Sequence, residues 1–368
     1  MHGNEHSLRD VGAAVGRSLR ILAVAETWQG ATDYGFVRAF RNAGHSVMVC
    51  PSDRFFPSGW SSKALRIARR LLFAQLVREY NDDLLAKARA LRPHLFFAYA
   101  GAYVLPATLQ TIREGGTVAV NLYPDTTFRR DGGSLAGALA RYDWIFQTKS
   151  FGVDDVRTVN ENVSFMEHGF DAETHRRVTL DDRDRNVYAC DASFIGTWSA
   201  KKGRMLADLH RVLPELRLNI WGNQWERATE GLGPGLMRSP VLGLEFSKAI
   251  AASDINLAIL IEAQPGAPQG DLTTTRTFEI PAVGGFMLHE RNDEVRGFFE
   301  EGRDCAMFDG LDELVAKVRH YLANPEERAR IAAAGRHRAL TSGYSTDAHA
   351  AKVVEKCLEI RRQRGDTT

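Results

Sequence analysis

The segment Gly270-Asp-Leu-Thr-Thr-Thr-Arg-Thr-Phe-Glu-Ile-Pro-Ala-Val-Gly-Gly-Phe-Met-Leu-His289 gathers the residue types that hold a phosphorylated ligand. Three hydroxyls, Thr273, Thr274 and Thr275, precede a predicted short helix. The first turn of a helix leaves backbone N–H groups unsatisfied, and with these hydroxyls they could receive a phosphate. Arg276 adds a planar fork of donors suited to phosphate oxygens. Glu279, three residues on, would present an acceptor to ribose hydroxyls, and Gly284-Gly285 would let the helix turn tightly into the next strand. The same spacing also fits an ordinary capped helix carrying a surface glutamate.

Such residues act together only if the chain delivers them to the carboxyl ends of parallel strands, where loops and helix N-termini converge on ligands. The sequence is patterned for this. Arg20 to Ala25 is a compact apolar run that reads as a buried parallel strand, followed by a loop with Glu26, Trp28, Gly30 and Asp33. A helical stretch from Tyr34 to Ala43 closes at Gly44, and a strand follows at Ser46 to Cys50. Further strands are expected at His94 to Tyr99, Thr117 to Leu122 and Trp144 to Gln147. A charged stretch, Arg176 to Arg185, reads as a solvated linker. Strands then recur at Asp191 to Ile195, Leu216 to Trp221, Asp254 to Ile261, Phe286 to His289 and Asp304 to Phe308. Helices are expected at Leu311 to Ala323, Pro325 to Leu340 and Thr346 to Arg362, with Asn324 as an N-cap before Pro325. The pattern is that of two α/β domains in tandem, their carboxyl edges lining one crevice.

Size and composition agree. A chain of 368 residues exceeds what one core usually organises. An apolar content of 44% with 25% charged residues is that of a folded globular protein, and a net charge of +1 removes the global argument for nucleic-acid binding. Cys50, Cys190, Cys305 and Cys357 lie far apart, with no zinc-site spacing, and read as reduced thiols of a cytoplasmic protein. Apolar runs such as Ile255 to Ile261 are strand-sized, and Met1 to Gly16 carries no signal-peptide core.

Other residues could carry chemistry. In Phe194-Ile-Gly-Thr-Trp-Ser-Ala-Lys-Lys-Gly-Arg204, Gly196 permits close backbone approach at a strand end, and Lys202 or Arg204 at the following helix start could neutralise a diphosphate. Glu26 and Asp33 after the first strand, and Asp125 in Asn121-Leu-Tyr-Pro-Asp125, are candidates for a general base.

The run Arg276-Thr-Phe-Glu-Ile-Pro-Ala-Val-Gly-Gly-Phe-Met-Leu, with Glu290-Arg-Asn-Asp-Glu294, Phe298-Phe-Glu-Glu-Gly302 and Asp312 to Leu322, resembles the C-terminal domain of the CgeB-like (spore maturation) glycosyltransferases, relatives of glycosyltransferase families 1 and 4. The resemblance runs from about Asp191 to Tyr344 and more weakly through the N-terminal half. It implies the GT-B architecture, in which two Rossmann-like domains face a cleft. Residues 1–171 would bind the acceptor, 172–345 the nucleotide-sugar donor, and a helix at 346–368 would cross back to the first domain. It also implies a cytoplasmic, metal-independent transferase with no cofactor beyond the donor, acting on a glycan, lipid-linked, protein or small-molecule acceptor. In related retaining enzymes an E-x7-E pair spans the donor; here Asp271 and Glu279 give D-x7-E, which assigns Asp271 to the sugar and Glu279 to the ribose. Gly196, Lys202, Arg204, Thr274, Thr275 and Arg276 fall to the donor's phosphates, and Trp221 to the base or to the core. Glu167-His-Gly-Phe-Asp171 resembles the segment joining the domains, with His168 facing the sugar or phosphate.

Several patterns read otherwise. Asp182-Arg-Asp184 is a D-x-D triplet inside the charged linker and reads as solvated; Gly231, Gly233 and Gly235 open no dinucleotide turn; Gly132-Gly-Ser134 lacks the frame of a nucleophile elbow. Trp60 to Tyr80 mixes Lys63, Arg66, Arg69 and Arg70 with apolar residues, which fits a sheet-packing helix or peripheral contact with the inner face of a membrane. A sugar-nucleotide epimerase and a catalytically silent glycan- or protein-binding module are the rival readings, while an oxidoreductase lacks its G-x-G-x-x-G turn.

Overall fold

The computed structural model describes residues 18–28, 30–56, 63–129, 134–229, 231–233, 235–264 and 266–365, with backbone alone at 63–70 and 134. The described residues form two compact units, one from 18–28, 33–166 and 350–365, the other from 30–32 and 167–349.

The first unit holds a six-stranded parallel sheet of β1 (Arg20–Val24), β2 (Ser46–Val49), β3 (Leu95–Tyr99), β4 (Val118–Tyr123), β5 (Trp144–Gln147) and β6 (Val163–Phe165), in the order β2-β1-β3-β4-β5-β6. Its helices are α1 (Tyr34–Asn42), α2 (Lys63–Leu91), α3 (Pro106–Glu114), α4 (Ser134–Leu139) and α5 (Val153–Arg157). All residues of β4 are buried, as a strand covered on both faces requires. Alternate residues of one strand enter different cores: Leu22, Phe96 and Ala119 pack with Tyr80, Leu84 and Leu109, while Ile21, Phe97 and Val120 pack with Phe36 and Phe40.

The second unit repeats the plan with β7 (Cys190–Ile195), β8 (Leu218–Trp221), β9 (Met237–Arg238), β10 (Ser253–Ala258), β11 (Met287–Glu290) and β12 (Ala306–Phe308), all parallel, in the order β12-β11-β10-β7-β8-β9. Around them run α6 (Asp182–Tyr188), α7 (Ala200–Val212), α8 (Leu244–Ala251), α9 (Thr275–Val283), α10 (Asp293–Phe298), α11 (Gly310–Ala323) and α12 (Pro325–Thr341). The last helix, α13 (Thr346–Gln363), begins in the second unit and continues in the first. There Ala350, Val353, Val354 and Cys357, spaced as one helical stripe, pack into the same core as Phe36 and Phe97.

Four details differ from the sequence reading. The stretch ending at Arg185 is not all linker, because Asp181 accepts from the Asp184 N–H at 2.7 Å and starts α6 with a capping box; Asp184 then pairs with Lys248 at 2.8 Å. The D-x-D triplet therefore lies on a helix. The strand expected to reach Ile261 ends at Ala258, after which the backbone leaves the ladder although Ile259 and Leu260 stay buried. Asn324 is the N-cap of α12 with Pro325 at its start, as expected, but its side chain makes no cap bond and Nδ2 donates backwards to the His320 carbonyl at 2.7 Å. Finally, β6 and β9 were not expected, being too short to show a period.

The Gly132-Gly-Ser134 triplet lies outside the described residues except for the Ser134 backbone, and so do residues 60–62 and the side chains of 63–70 in the basic stretch. Beyond it, Leu71 is 79% exposed, whereas Phe73 meets Tyr103 edge-on at 6.1 Å and Leu76 and Val77 join the core. Among the described residues no helix is long and apolar enough to cross a membrane. All four cysteines are buried and free, and burial pushes the thiols of Cys50, Cys305 and Cys357 up to about 12.

Candidate functional site

A sheet whose strand order reverses sends the two loops at the reversal to opposite faces and leaves a crevice between them. In the second unit the reversal falls between β7 and β10, and the loops leaving these two strands carry most of the residues singled out above.

The loop after β7 turns at Gly196, whose N–H donates to the Trp221 carbonyl at 2.9 Å; a Cβ there would come within 2.9 Å of the Phe194 ring. Ser199 precedes α7 and donates through Oγ to Glu262 at 2.6 Å, tying the two loops together. Lys201 turns to Glu290 at 2.5 Å. Lys202 turns the other way, with Nζ donating to the Thr197 carbonyl at 3.4 Å. Burial holds the Lys202 ammonium below its ordinary pKa, opposed by the charges of Asp271 and Glu262. Arg204 is exposed on the second turn of α7, about 200° around the helix from Lys202.

The loop after β10 is fixed at both ends. Gly270 has φ +79°, and a Cβ there would stand 2.2 Å from the Ile261 carbonyl, so only glycine fits. Asn292 Nδ2 donates to the Leu272 carbonyl at 2.9 Å, and Thr273 Oγ1 donates to Glu294 at 2.9 Å. Asp271 is thus held between two anchors, close enough to Lys202 for their charges to act on one another.

Thr274 is the N-cap of α9, and a relay sets the start of that helix. The Thr274 N–H donates to Thr277 Oγ1 at 3.1 Å. His289 Nδ1 lies 2.7 Å from the Glu290 carbonyl, which can only accept, so that nitrogen carries the proton. His289 Nε2 is then the acceptor for the Thr277 hydroxyl at 2.9 Å. Complete burial keeps the His289 imidazole neutral, its pKa pushed down to about 4. At the far end Gly284 takes the left-handed conformation, φ +98°, and closes α9 as expected.

Arg276 and Glu279 lie three residues apart on one face of α9 and form an ion pair. Arg276 also donates through Nε to the Ile195 carbonyl at 3.0 Å, the end of β7, and through Nη1 to Thr275 Oγ1 at 3.1 Å. Its guanidinium lies 4.7 Å from the centroid of the Phe246 ring. Glu279 is buried, and its second oxygen faces His175 Nε2 at 3.5 Å. Glu279 and His175 line a small cavity with Gly30, Asp171 and Thr174.

His175 was missed in the sequence because it sits in an irregular stretch with no periodicity and no motif. The one local sign is its spacing from Asp171, whose N–H donates to His175 Nδ1 at 3.0 Å. Trp221 is buried against Tyr188, ring centroids 5.5 Å apart, with Arg238 over its face at 5.3 Å, and among the described residues its Nε1 finds no hydrogen-bond partner. His168 is buried; the neighbouring Glu167 is the residue that meets His349, at 3.1 Å.

In the first unit the reversal falls between β1 and β3. Glu26 follows β1 and accepts from Ser52 Oγ at 2.7 Å, while its own N–H donates to Asp33 Oδ2 at 2.9 Å. Burial raises the pKa of both carboxyls; for Glu26 the charges of Asp53 and Asp33 add to it, against the hydrogen bond from Ser52. Asp125 follows β4, where its carbonyl accepts from Gln147 Nε2 at 3.4 Å. Among the described residues no group of three or more His, Cys, Asp or Glu is placed to hold a metal ion.

This double sheet is found in solved structures. Sucrose-phosphate synthase from Thermosynechococcus elongatus superposes with a TM-score of 0.66 at 12% identity, over 94% of this chain and 100% of the other. The chain has the GT-B fold. A glycosyltransferase from Rickettsia africae gives a TM-score of 0.64 at 12% identity, covering 94% and 99% of the two chains. Anabaena HepE, solved in complex with UDP-glucose, gives 0.59 at 11% identity, covering 93% and 100%. Residues 201–355 match the family model described as "Glycosyl transferase-like". That span begins at Lys201 and contains Lys202, Asp271, Arg276 and Glu279. No curated protein sequence matches the chain.

Proposed function

We propose that this GT-B protein moves a sugar from a nucleoside-diphosphate sugar to an acceptor nucleophile, with the donor on the second unit. One observation carries the reading: at the strand reversal of the second sheet, the N-terminus of α9, Lys202 and the Arg276–Glu279 pair stand together. An anion placed there gains the helix dipole and two cations, and these same groups would stabilise the charge that develops on a departing diphosphate. With cations in that role the reading invokes no metal. Thr274 and Thr275 add hydroxyls, Glu279 takes the ribose, and Asp271 and His168 fall to the sugar. The CgeB-like resemblance adds to the same assignment, as does the presence of UDP-glucose in the Anabaena relative.

The acceptor falls to the first unit. Glu26, a carboxyl whose pKa is raised, has the chemistry of a general base for an acceptor hydroxyl if the transfer inverts configuration, with Asp33 as its hydrogen-bonded neighbour.

A thermal-shift panel of UDP, GDP, dTDP, ADP and NAD on the wild type and Glu279→Ala tests the donor site. Ligand at 100 times its dissociation constant adds about 2.7 kcal/mol, so one nucleoside diphosphate should raise the melting temperature by several degrees, and Glu279→Ala should abolish the rise. Stabilisation by NAD alone, or by no nucleotide, would refute the reading. Product analysis then separates transfer from epimerisation, which converts the nucleotide sugar without passing the sugar to an acceptor.

A further inference from the structure

We propose that His175 and Glu279 together read the vicinal hydroxyls of the donor's ribose, one side chain giving a hydrogen bond and the other receiving one. The proposal rests on the donor-site reading above and adds to it a residue that no motif marks.

The argument starts from which atoms carry protons. The Asp171 N–H points at His175 Nδ1 at 3.0 Å, so that nitrogen must be the bare one. In the neutral ring the hydrogen is then on Nε2, and Nε2 faces Glu279. Neutrality follows from the surroundings: burial lowers the pKa of the imidazole below 6.5, and the Arg276 charge acts in the same direction, against Glu279 and Asp171. The Asp171 carboxylate accepts from its own turn, Oδ2 from the Thr174 hydroxyl at 2.8 Å and Oδ1 from the Glu173 N–H at 3.2 Å. The ring plane is held by Phe246, edge-on with centroids 5.2 Å apart.

Glu279 complements this. Its Oε2 is engaged by Arg276, which leaves Oε1 toward His175. At 3.5 Å the Nε2–Oε1 contact is longer than a good hydrogen bond, so neither atom is satisfied by the other. Both side chains line the same cavity. A fixed donor beside a fixed acceptor is the pattern that suits two adjacent hydroxyls, since each hydroxyl both gives and takes a hydrogen bond. A ligand lacking one of them would leave a buried partner unpaired, and that loss is what gives such sites their selectivity.

The test measures dissociation constants of UDP, 2′-deoxy-UDP and 3′-deoxy-UDP on the full chain, as wild type, His175→Ala and His175→Gln. If the panel selects another base, its ribo and deoxy forms replace these. Wild type should prefer UDP over each deoxy form by about tenfold or more, as the loss of one buried hydrogen bond implies. His175→Ala should narrow one of the two preferences to near unity, and His175→Gln, whose amide N–H can stand where Nε2–H stood, should restore much of it. A structural role alone would weaken all three ligands in proportion and leave both ratios unchanged, which would overturn the proposal; so would a wild type indifferent to the hydroxyls. If the wild type binds no nucleoside diphosphate at all, the donor-site reading fails and this inference falls with it. Melting curves of both variants show whether they fold.

Discussion

Both sheets are six-stranded and parallel, but their strand orders differ, and so does the charge at their reversal points. In the first unit that edge carries Glu26, Asp33 and Asp53, where burial and, to a lesser degree, the neighbouring carboxylate charges raise the pKa of Glu26. In the second it carries two cations, Lys202 and Arg276, and the N-terminus of α9, together with the carboxylates of Asp271, Glu262 and Glu279. Fold alone does not choose a ligand, whereas charge discriminates: an anion at the first edge meets those carboxylates, and at the second it meets cations and a helix N-terminus as well as carboxylates. Hydrogen bonds between loops hold both edges, Ser199 to Glu262 and Thr273 to Glu294 in the second unit and Ser52 to Glu26 in the first.

The sharpest way to break the contrast is Arg276→Ala. It removes charge-assisted hydrogen bonds worth about 1.5–3 kcal/mol, so nucleoside diphosphate affinity should fall roughly 10- to 100-fold by calorimetry. The melting temperature should drop as well, since Glu279 loses its partner in a buried position. Next, Thr277→Val cuts the relay between Thr274 and His289 while keeping the shape of the side chain. A buried imidazole nitrogen is then left without its donor, at a cost of about 1–3 kcal/mol in chemical unfolding.

Lys202→Met should weaken the diphosphate about tenfold, the worth of one ion-paired hydrogen bond. It also has a proton signature. Burial lowers the wild-type ammonium's pKa and a bound anion raises it again, so binding in the alkaline range should take up a proton and weaken as pH rises. Calorimetry in buffers of different ionisation enthalpy reads that uptake, and the methionine variant should abolish it.

The smallest effect is expected from Glu26→Gln, and its sign is the informative part. The folded state raises the Glu26 pKa, so the ionised carboxylate opposes folding above that pKa. The glutamine variant should melt slightly higher at neutral pH, and the gain should disappear as pH falls below the ordinary carboxylate range. UDP affinity should not change. A variant that melts lower at neutral pH would mean that the carboxylate is a structural partner rather than a strained functional group.

Much of this molecule is legible in one dimension. The run Ile21 to Val24 is apolar on both faces, as a covered parallel strand requires, and two sets of largely apolar, strand-sized runs separated by helical periods specify two α/β units. The segment from Gly270 to Gly285 could be read locally because its needs are local: a left-handed turn, a hydroxyl cap, an i, i+3 pair and a glycine stop. Tertiary structure decided the rest. The strand order that brings the loops after β7 and β10 together depends on pairing across about 60 residues, Ile255 with Ala192 and Leu257 with Phe194, which no local pattern encodes. The same holds for Arg276 reaching the Ile195 carbonyl, for Ser199 meeting Glu262, and for His175 arriving beside Glu279. Each is a contact between segments whose own sequences ask only for a helix, a loop or a turn, and the packing of the second core sets their distance.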